Sequence, residues 1–207
     1  MSIVLHAVSG SPGSWKVWLT LEHKKIPYRI EFLSYDAGDN QKPAFLALNP
    51  RGQVPVLVDG NFILSESGAI VEYLEEKWPE PRLLRGDARE RARIRQLALD
   101  AHFYFETAFR KIQPSANERI PAADRVRKLV DELALIEREL TGDFRAGGQV
   151  TLADFTLYPM LALMRRLADR FEIKQLTEAI GPRTAGWMKR IETLPYFDRT
   201  YPPHWRT

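Results

Sequence analysis

The sequence predicts an α/β domain followed by an all-helical one. Short β-like runs alternate with helical ones only as far as about Glu76. Beyond the break at Trp78-Pro79-Glu80-Pro81, apolar residues recur at spacings of three and four. The expected division is residues 1–78 for the first domain, 79–87 for a linker and 88–207 for the helical domain.

Ile3 to Val8 alternates as a strand and is closed by Ser9-Gly10. Val17, Leu19 and Leu21 ahead of the polar EHKK run predict a short helix from about Ser14, ending before Ile26-Pro27. Tyr28 to Leu33 is a second strand, and Pro43 to Leu48 a short helix stopped by Asn49-Pro50. Val54 to Val58 and Phe62 to Leu64 flank Asp59-Gly60, a pair that favours a hairpin with a type I′ turn. A helix from about Ser65 to Lys77 completes the order βαβ-α-ββα.

In the second half, Ile94, Leu97, Ala101, Phe105, Ala108 and Ile112 form one helical stripe. Val126, Leu129, Val130, Leu133, Ile136 and Leu140 form another. Thr151-Leu152-Ala153-Asp154 has the shape of a capping box, its acid one methylene shorter than the usual Glu or Gln. Val150 and Phe155 are placed to form the accompanying hydrophobic staple. Pro182 to Thr193 reads as a further helix, and the tail from Tyr196 is aromatic and rich in proline.

Composition removes several function classes. With 207 residues, 44% of them apolar, the chain is long enough to bury a real core. It has no cysteine, which excludes disulfides, zinc–thiolate sites, iron–sulfur clusters and a protein-borne thiol nucleophile. Any sulfur chemistry must arrive with a ligand. A net charge of +3 is slight for nucleic-acid binding. The basic series Arg89, Arg91, Arg93 and Arg95 falls on opposing sides of a helix, as expected of a solvated helix or an interface. Histidines 6, 23, 102 and 204 form no ligand pair, so no metal is expected. The start MSIVLHAVSG has no basic leader, and the apolar run Tyr158 to Met164 is too short to span a bilayer, which points to a soluble cytoplasmic protein.

Three features of the first half suit one kind of ligand. Val54-Pro55 opens a strand, where a cis bond would offer the backbone of Val54 to a peptide-like molecule; a plain strand-edge proline is the alternative. Ser65-Glu66-Ser67-Gly68 starts a helix, whose free N–H groups attract a carboxylate while Glu66 attracts an ammonium, unless the segment is simply an N-cap. Ser11 and Ser14, between the first strand and first helix, offer hydroxyls to an anion such as a thiolate, or else cap the helix. The turn Ser9–Ser14 lacks the lysine of a P-loop, and no nucleophile elbow is present.

Together these segments resemble the glutathione transferase superfamily, of serine type with a theta- or zeta-like turn. The likeness runs through SPGSWKVWLTLEHKKIPY, GDNQKPAFLALNPRGQVPVLVDG, ILSESGAIVEYL, PRLLRGDARERARIRQ and TLADFTLYP, covering nearly the whole chain. It implies a thioredoxin-like N-terminal domain, an all-helical C-terminal domain, a two-fold homodimer and glutathione as co-substrate. Residue by residue, it implies that Val54 and Pro55 hold the cysteinyl part of glutathione. Glu66 and Ser67 hold the γ-glutamyl end, and Gln53 with Asn40 the glycyl end. Asn40 stands where related members often have histidine. Asp100 reaches a γ-glutamyl amine across the dimer interface.

The catalytic hydroxyl aligns with Ser11, with Ser14 as the alternative. Gly13 occupies the position near which cysteine-type members carry their thiol. The resemblance places a small hydrophobic electrophile near Ser9 and Pro12 and the start of the helical domain, where His102, Phe103 and Tyr104 are candidates. Glutathione conjugation is the activity implied. Glutathione-dependent cis-trans isomerisation and non-catalytic ligand binding on the same fold are the alternatives.

Overall fold

In the computed structural model, which describes residues 3–112 and 123–206, the strand β1 (Ile3–Ala7) buries Ile3, Leu5 and Ala7 and half-buries Val4 and His6. That is the period-two pattern its sequence predicts. It pairs in parallel with β2 (Tyr28–Phe32) and antiparallel with β3 (Val56–Asp59), which pairs antiparallel with β4 (Phe62–Ser65). The sheet order is β2-β1-β3-β4. A parallel pair needs a crossover, and α1 (Pro12–His23) supplies it. The short α2 (Pro43–Leu46) lies between β2 and β3, and α3 (Ser67–Lys77) follows β4 and packs on α1.

The hairpin forms, with a different turn. Register pairs Asp59 with Phe62, so the two loop residues are Gly60 and Asn61. Gly60 has φ 65°, whereas Asn61 is not among the positive-φ residues. A type I′ turn needs positive φ at both positions; a glycine-first turn with this sign pattern follows type II′.

Helix α1 is buried nearly all round: Trp15, Val17, Leu19 and Leu21 are each at most 2% exposed. A second layer explains this. Trp15 Nε1 donates to Thr200 Oγ1 at 3.0 Å, and the rings of Phe197, Tyr201 and Trp205 lie 6.0, 5.9 and 5.4 Å from the Trp15 ring. The aromatic tail, with α10 (Phe197–Thr200), therefore belongs to the first compact unit, Met1–Leu83 with Pro195–Thr207; the second is Leu84–Leu194. Composition alone had grouped this tail with residues 88–207. The segment after α3 is also fixed to the first unit. Buried Lys24 pairs with Glu75 at 2.6 Å and donates to the carbonyls of Trp78 and Pro81, while Glu75 accepts the Leu83 N–H at 3.0 Å. Residues 79–83 are accordingly tied down, where a linker was expected.

At the hairpin, the Lys77 ammonium, helped by the Tyr73 hydroxyl at 2.7 Å, holds the Asp59 carboxyl below the usual carboxylate range. A carboxyl depressed on folding contributes stability above its unfolded pKa of about 3.9 and loses it as pH falls through the folded value. The denaturant midpoint should drop as pH falls from about 5 to about 3. Asp59→Asn should flatten part of that slope; an unchanged slope in the variant would remove Asp59 from acid unfolding.

In the helical unit, α4 (Ala88–Asp100) begins with a capping box. Asp87 accepts from the N–H groups of Arg89 and Glu90 at 2.8 and 3.0 Å, and Glu90 accepts from the Asp87 N–H at 2.8 Å. A π-helical turn, Ala101–Phe105, then joins it to α5 (Glu106–Ile112). Through this turn the buried positions Ile94, Leu97, Ala101, Phe105, Phe109 and Ile112 keep spacings of three and four, with Phe109 in the place the sequence stripe assigned to Ala108. His102, Phe103 and Tyr104, on the other side of this turn, are exposed.

Helix α6 (Ala123–Glu139) buries Val126, Leu129, Leu133 and Ile136. Helix α7 (Leu152–Arg170) is buried at every residue from Leu152 to Leu161, which accounts for the apolar run there. The short α8 (Lys174–Glu178) and α9 (Pro182–Glu192) complete the unit. At the start of α7, the Asp154 carboxylate accepts from the N–H and hydroxyl of Thr151, the N–H of Arg145 and the indole of Trp187, all at 2.7–2.8 Å. Val150 and Phe155, the expected staple, are both buried.

Candidate active site

The starts of α1 and α3 both lack a side-chain cap. Ser11 is the N-cap of α1, with extended backbone at φ −67° and ψ 123°, and its carbonyl accepts from Trp15 N–H at 2.9 Å. Its hydroxyl makes no capping bond and the residue is half-buried. Pro12, at the first helical position, has no N–H to satisfy. Ser14 is 3% exposed, and its Oγ accepts from the Val8 N–H at 3.4 Å. The two serines therefore differ: Ser14 is turned to the end of β1, and neither hydroxyl caps the helix.

Glu66, the N-cap of α3, has φ 70° and ψ 110°, a region that costs a non-glycine residue about 1–3 kcal/mol. Its side chain is exposed and makes no capping bond. The first N–H groups of α3 precede the first intrahelical bond, Ile70 N–H to Glu66 carbonyl at 2.9 Å, so they are free for a ligand's acceptor. Neither α1 nor α3 carries an acid in its first turn, and the one acid at either start is Glu66, the N-cap of α3.

Gly13 brings these parts together. A Cβ on Gly13 would stand 3.3 Å from Pro55 Cδ and 3.5 Å from Ser67 Oγ. The first turn of α1, the first turn of α3 and the Val54-Pro55 bond, which is cis, thus meet at one place.

The adjoining loop is held by asparagines. Buried Asn49 donates to the Gln53 carbonyl at 2.8 Å and accepts from the Arg51 N–H at 3.1 Å. Asn40 donates through Nδ2 to the Gly52 carbonyl at 2.8 Å. Gly52 has φ 61°, and a Cβ there would fall 2.8 Å from Gln41 Nε2 and 3.0 Å from the Asn40 carbonyl oxygen. Asn40, expected on a ligand carboxylate, is thus engaged in fixing this loop, while the side chain of Gln53 is exposed.

The turn before Ser11 is covered by residues that sequence reasoning missed. Ser9 Oγ and His204 Nδ1 are 3.0 Å apart, and Trp205 lies over Gly10. The aromatic character of the tail was the available signal. His6 pairs with Glu31 at 3.1 Å, and burial lowers its pKa, as fits a packed histidine.

The remaining candidates lie on the helical unit. His102 bonds Glu106 at 2.7 Å, and Phe103 and Tyr104 are 59% and 61% exposed. Asp100 lines a cavity of about 280 Å³ with Tyr104, Glu132, Glu139 and Arg145. There burial, then the carboxylates of Asp100, Asp131 and Glu139, push the Glu132 carboxyl up. Among the described residues no cluster of histidines and acids can hold a metal, and no helix is long and apolar enough to cross a membrane.

Comparison with known proteins bears on this geometry. The glutathione S-transferase N-terminal domain family matches residues 10–77, and its C-terminal domain family residues 90–190. The chain is 32% identical to glutathione S-transferase U1 of Arabidopsis thaliana, across 98% of this chain and 89% of that protein. It belongs to the glutathione S-transferase family.

The rat maleylacetoacetate isomerase is 31% identical over 82% of this chain and 80% of its own length. The crystal structure of a glutathione S-transferase from the Antarctic clam Laternula elliptica superposes with a TM-score of 0.86 at 31% identity, covering 100% of this chain and 94% of that one. The four-stranded unit is the thioredoxin-like half of the transferase fold, and the second is its all-helical half. Glutathione is the co-substrate of this family, and the relatives place the chain among glutathione-dependent transferases or isomerases.

Proposed function

We propose that this glutathione transferase is a cytoplasmic homodimer that activates bound glutathione with a serine hydroxyl for attack on a small hydrophobic electrophile. The observation that carries the reading is the meeting of the uncapped α3 start, the Val54-Pro55 bond and the α1 start around Gly13. The γ-glutamyl carboxylate of glutathione takes the free N–H groups of α3 and the Ser67 hydroxyl, and its ammonium faces Glu66. The cysteinyl backbone pairs with Val54, and Gln53 and Asn40 border the glycyl end. Asp100 is offered to the γ-glutamyl amine in the partner subunit.

The thiol then lies near the start of α1. A thiol with a pKa near 8.5 is only a few per cent ionised at neutral pH, so stabilising its anion raises the reactive fraction. Ser11 donates its O–H to the thiolate, and the α1 dipole adds to this, while the thiol proton leaves to solvent. The sulfur forms a bond to the electrophilic carbon, and the leaving group departs with its electron pair. Ser9 and Pro12 flank Ser11 on the electrophile's side of this turn.

Cis-trans isomerisation is the second reading, favoured by likeness to the rat isomerase. There the thiolate adds to a conjugated cis-alkene acid and is expelled after bond rotation, with no net consumption of glutathione. The choice of readout separates the two: conjugate formation against isomer formation at constant thiol. Beneath both lies the binding site, tested by calorimetric titration with glutathione. Ser67→Ala should weaken binding more than about tenfold, roughly 1.4 kcal/mol. Absence of binding by the intact protein would overturn the reading in favour of another ligand on the same fold.

A further inference from the structure

We infer that His204 is a positioning residue for the turn that carries Ser11, acting through the hydroxyl of Ser9. The inference rests on the serine reading above and extends it to the C-terminal segment.

The turn itself is slight. Ser11 N–H donates to the Val8 carbonyl at 3.1 Å, closing residues 8–11, and Gly10 has φ 81°, the sign a type II turn requires at its third residue. Nothing in that backbone alone fixes the aim of a hydroxyl at its end. The C-terminal segment supplies a second hold. His204 Nδ1 and Ser9 Oγ are 3.0 Å apart, one donating to the other according to the imidazole tautomer. A Cβ on Gly10 would fall 3.1 Å from Trp205 Cζ2 and 3.2 Å from His204 Cε1. Both residues therefore rest directly on the two positions that precede Ser11.

The segment bearing His204 is anchored. Trp205 is 8% exposed, its N–H donates to the Pro202 carbonyl at 2.9 Å, and its ring packs edge-on against Trp15. Trp15 belongs to the helix that Ser11 caps and is tied to Thr200 on the same tail. The tail thus grips the Ser11 turn at two points, the indole cluster inside and the Ser9–His204 bond outside. Trp205 contributes buried area to this grip. His204 is exposed, so apolar burial is not what its ring brings. Its directional bond to Ser9 restrains the turn, and a hydroxyl displaced by about 1 Å can lose up to 100-fold in rate.

The test uses the full chain with His204→Ala, His204→Asn, Ser9→Ala and the Ser9→Ala/His204→Ala double variant, alongside Ser11→Ala. Asparagine places an amide near the position of Nδ1 and keeps a bond to Ser9 within reach. Expected for His204→Ala are a fall in kcat of about tenfold, KM for glutathione within about twofold, and a higher pKa for the bound thiol. Asparagine should restore most of the loss. The double variant should be no worse than the more impaired single variant, as two residues of one bond require. Equal impairment by alanine and asparagine, multiplying effects of Ser9 and His204, or a loss confined to KM would overturn the role. Trp205 stays in place throughout, and near-ultraviolet circular dichroism of the tryptophan cluster reports whether the tail remains docked. Should Ser11→Ala turn over like wild type, the serine reading fails and this inference with it. An impaired Ser11→Ala beside an intact His204→Ala overturns the inference alone.

Discussion

Replacing Ser11 with alanine is expected to lower turnover about 100-fold and to leave glutathione affinity within about threefold. The split follows from where the hydroxyl stands. On the proposed reading, binding energy comes from the α3 start, the Val54 backbone and the 40–53 loop, whereas the backbone of Ser11 is hydrogen-bonded to Val8 and Trp15. In the proposed role the hydroxyl acts on a charge that appears only when the thiol ionises. A donor aimed at developing charge is worth about two to three powers of ten in rate, and its loss spares ground-state binding. Ser14→Ala makes the companion measurement, because its buried hydroxyl is committed to the Val8 N–H. It should affect stability before it affects turnover. Steady-state kinetics with a calorimetric Kd for both variants decides the matter; unchanged turnover in Ser11→Ala would remove that residue from the catalytic role.

Asp154→Ala should be the most damaging single change outside the site, costing about 3–5 kcal/mol. Its carboxylate is fully buried and serves the Arg145 and Thr151 N–H groups, the Thr151 hydroxyl and the Trp187 indole. Alanine leaves those donors buried without their acceptor, at about 1–3 kcal/mol each. Part of that sum is already offset, because burial outweighs the donors and pushes the Asp154 carboxyl up. A carboxyl raised on folding contributes stability below its unfolded pKa and loses it as pH rises, the opposite of Asp59. Acid unfolding should therefore track Asp59 and its like, and not Asp154. Denaturant titration followed by circular dichroism gives the value; a loss below about 1 kcal/mol would mean the loop around Arg145 finds other acceptors.

Much of this fold is legible in the sequence because its signals are local. The alternation of Ile3 to Ala7, the proline that ends the first helix's reach, the Thr151–Asp154 box and the stripes of α4 and α6 each depend on residues within a turn or two of one another. What escaped depends on distant partners. Trp15 and Thr200 are 185 residues apart, so neither reveals that α1 is covered on two sides or that the tail joins the first unit. Between Phe105 and Ile112 both Ala108 and Phe109 satisfy spacings of three and four, so periodicity alone does not choose the buried one, which is Phe109.

The candidate site divides in the same way. Pro55, Glu66 and Ser67 were readable as a strand opening and a helix start, and Gly13 shows in three dimensions that they adjoin. The choice between Ser11 and Ser14 was not readable, since both sit in one serine-rich turn and only burial separates them. The engagement of Asn40 with Gly52 and of Ser9 with His204 are side-chain choices made among several available partners.

Stabilisation of a bound thiolate by Ser11 is tested most directly by ultraviolet titration of glutathione bound to the wild-type protein and to Ser11→Ala. Thiolate absorbance should appear in the wild-type complex at least one pH unit below the value near 8.5 of a free thiol, and should move back toward that value in the variant. Bound glutathione that ionises at the same pH as free glutathione in the wild-type complex would contradict it.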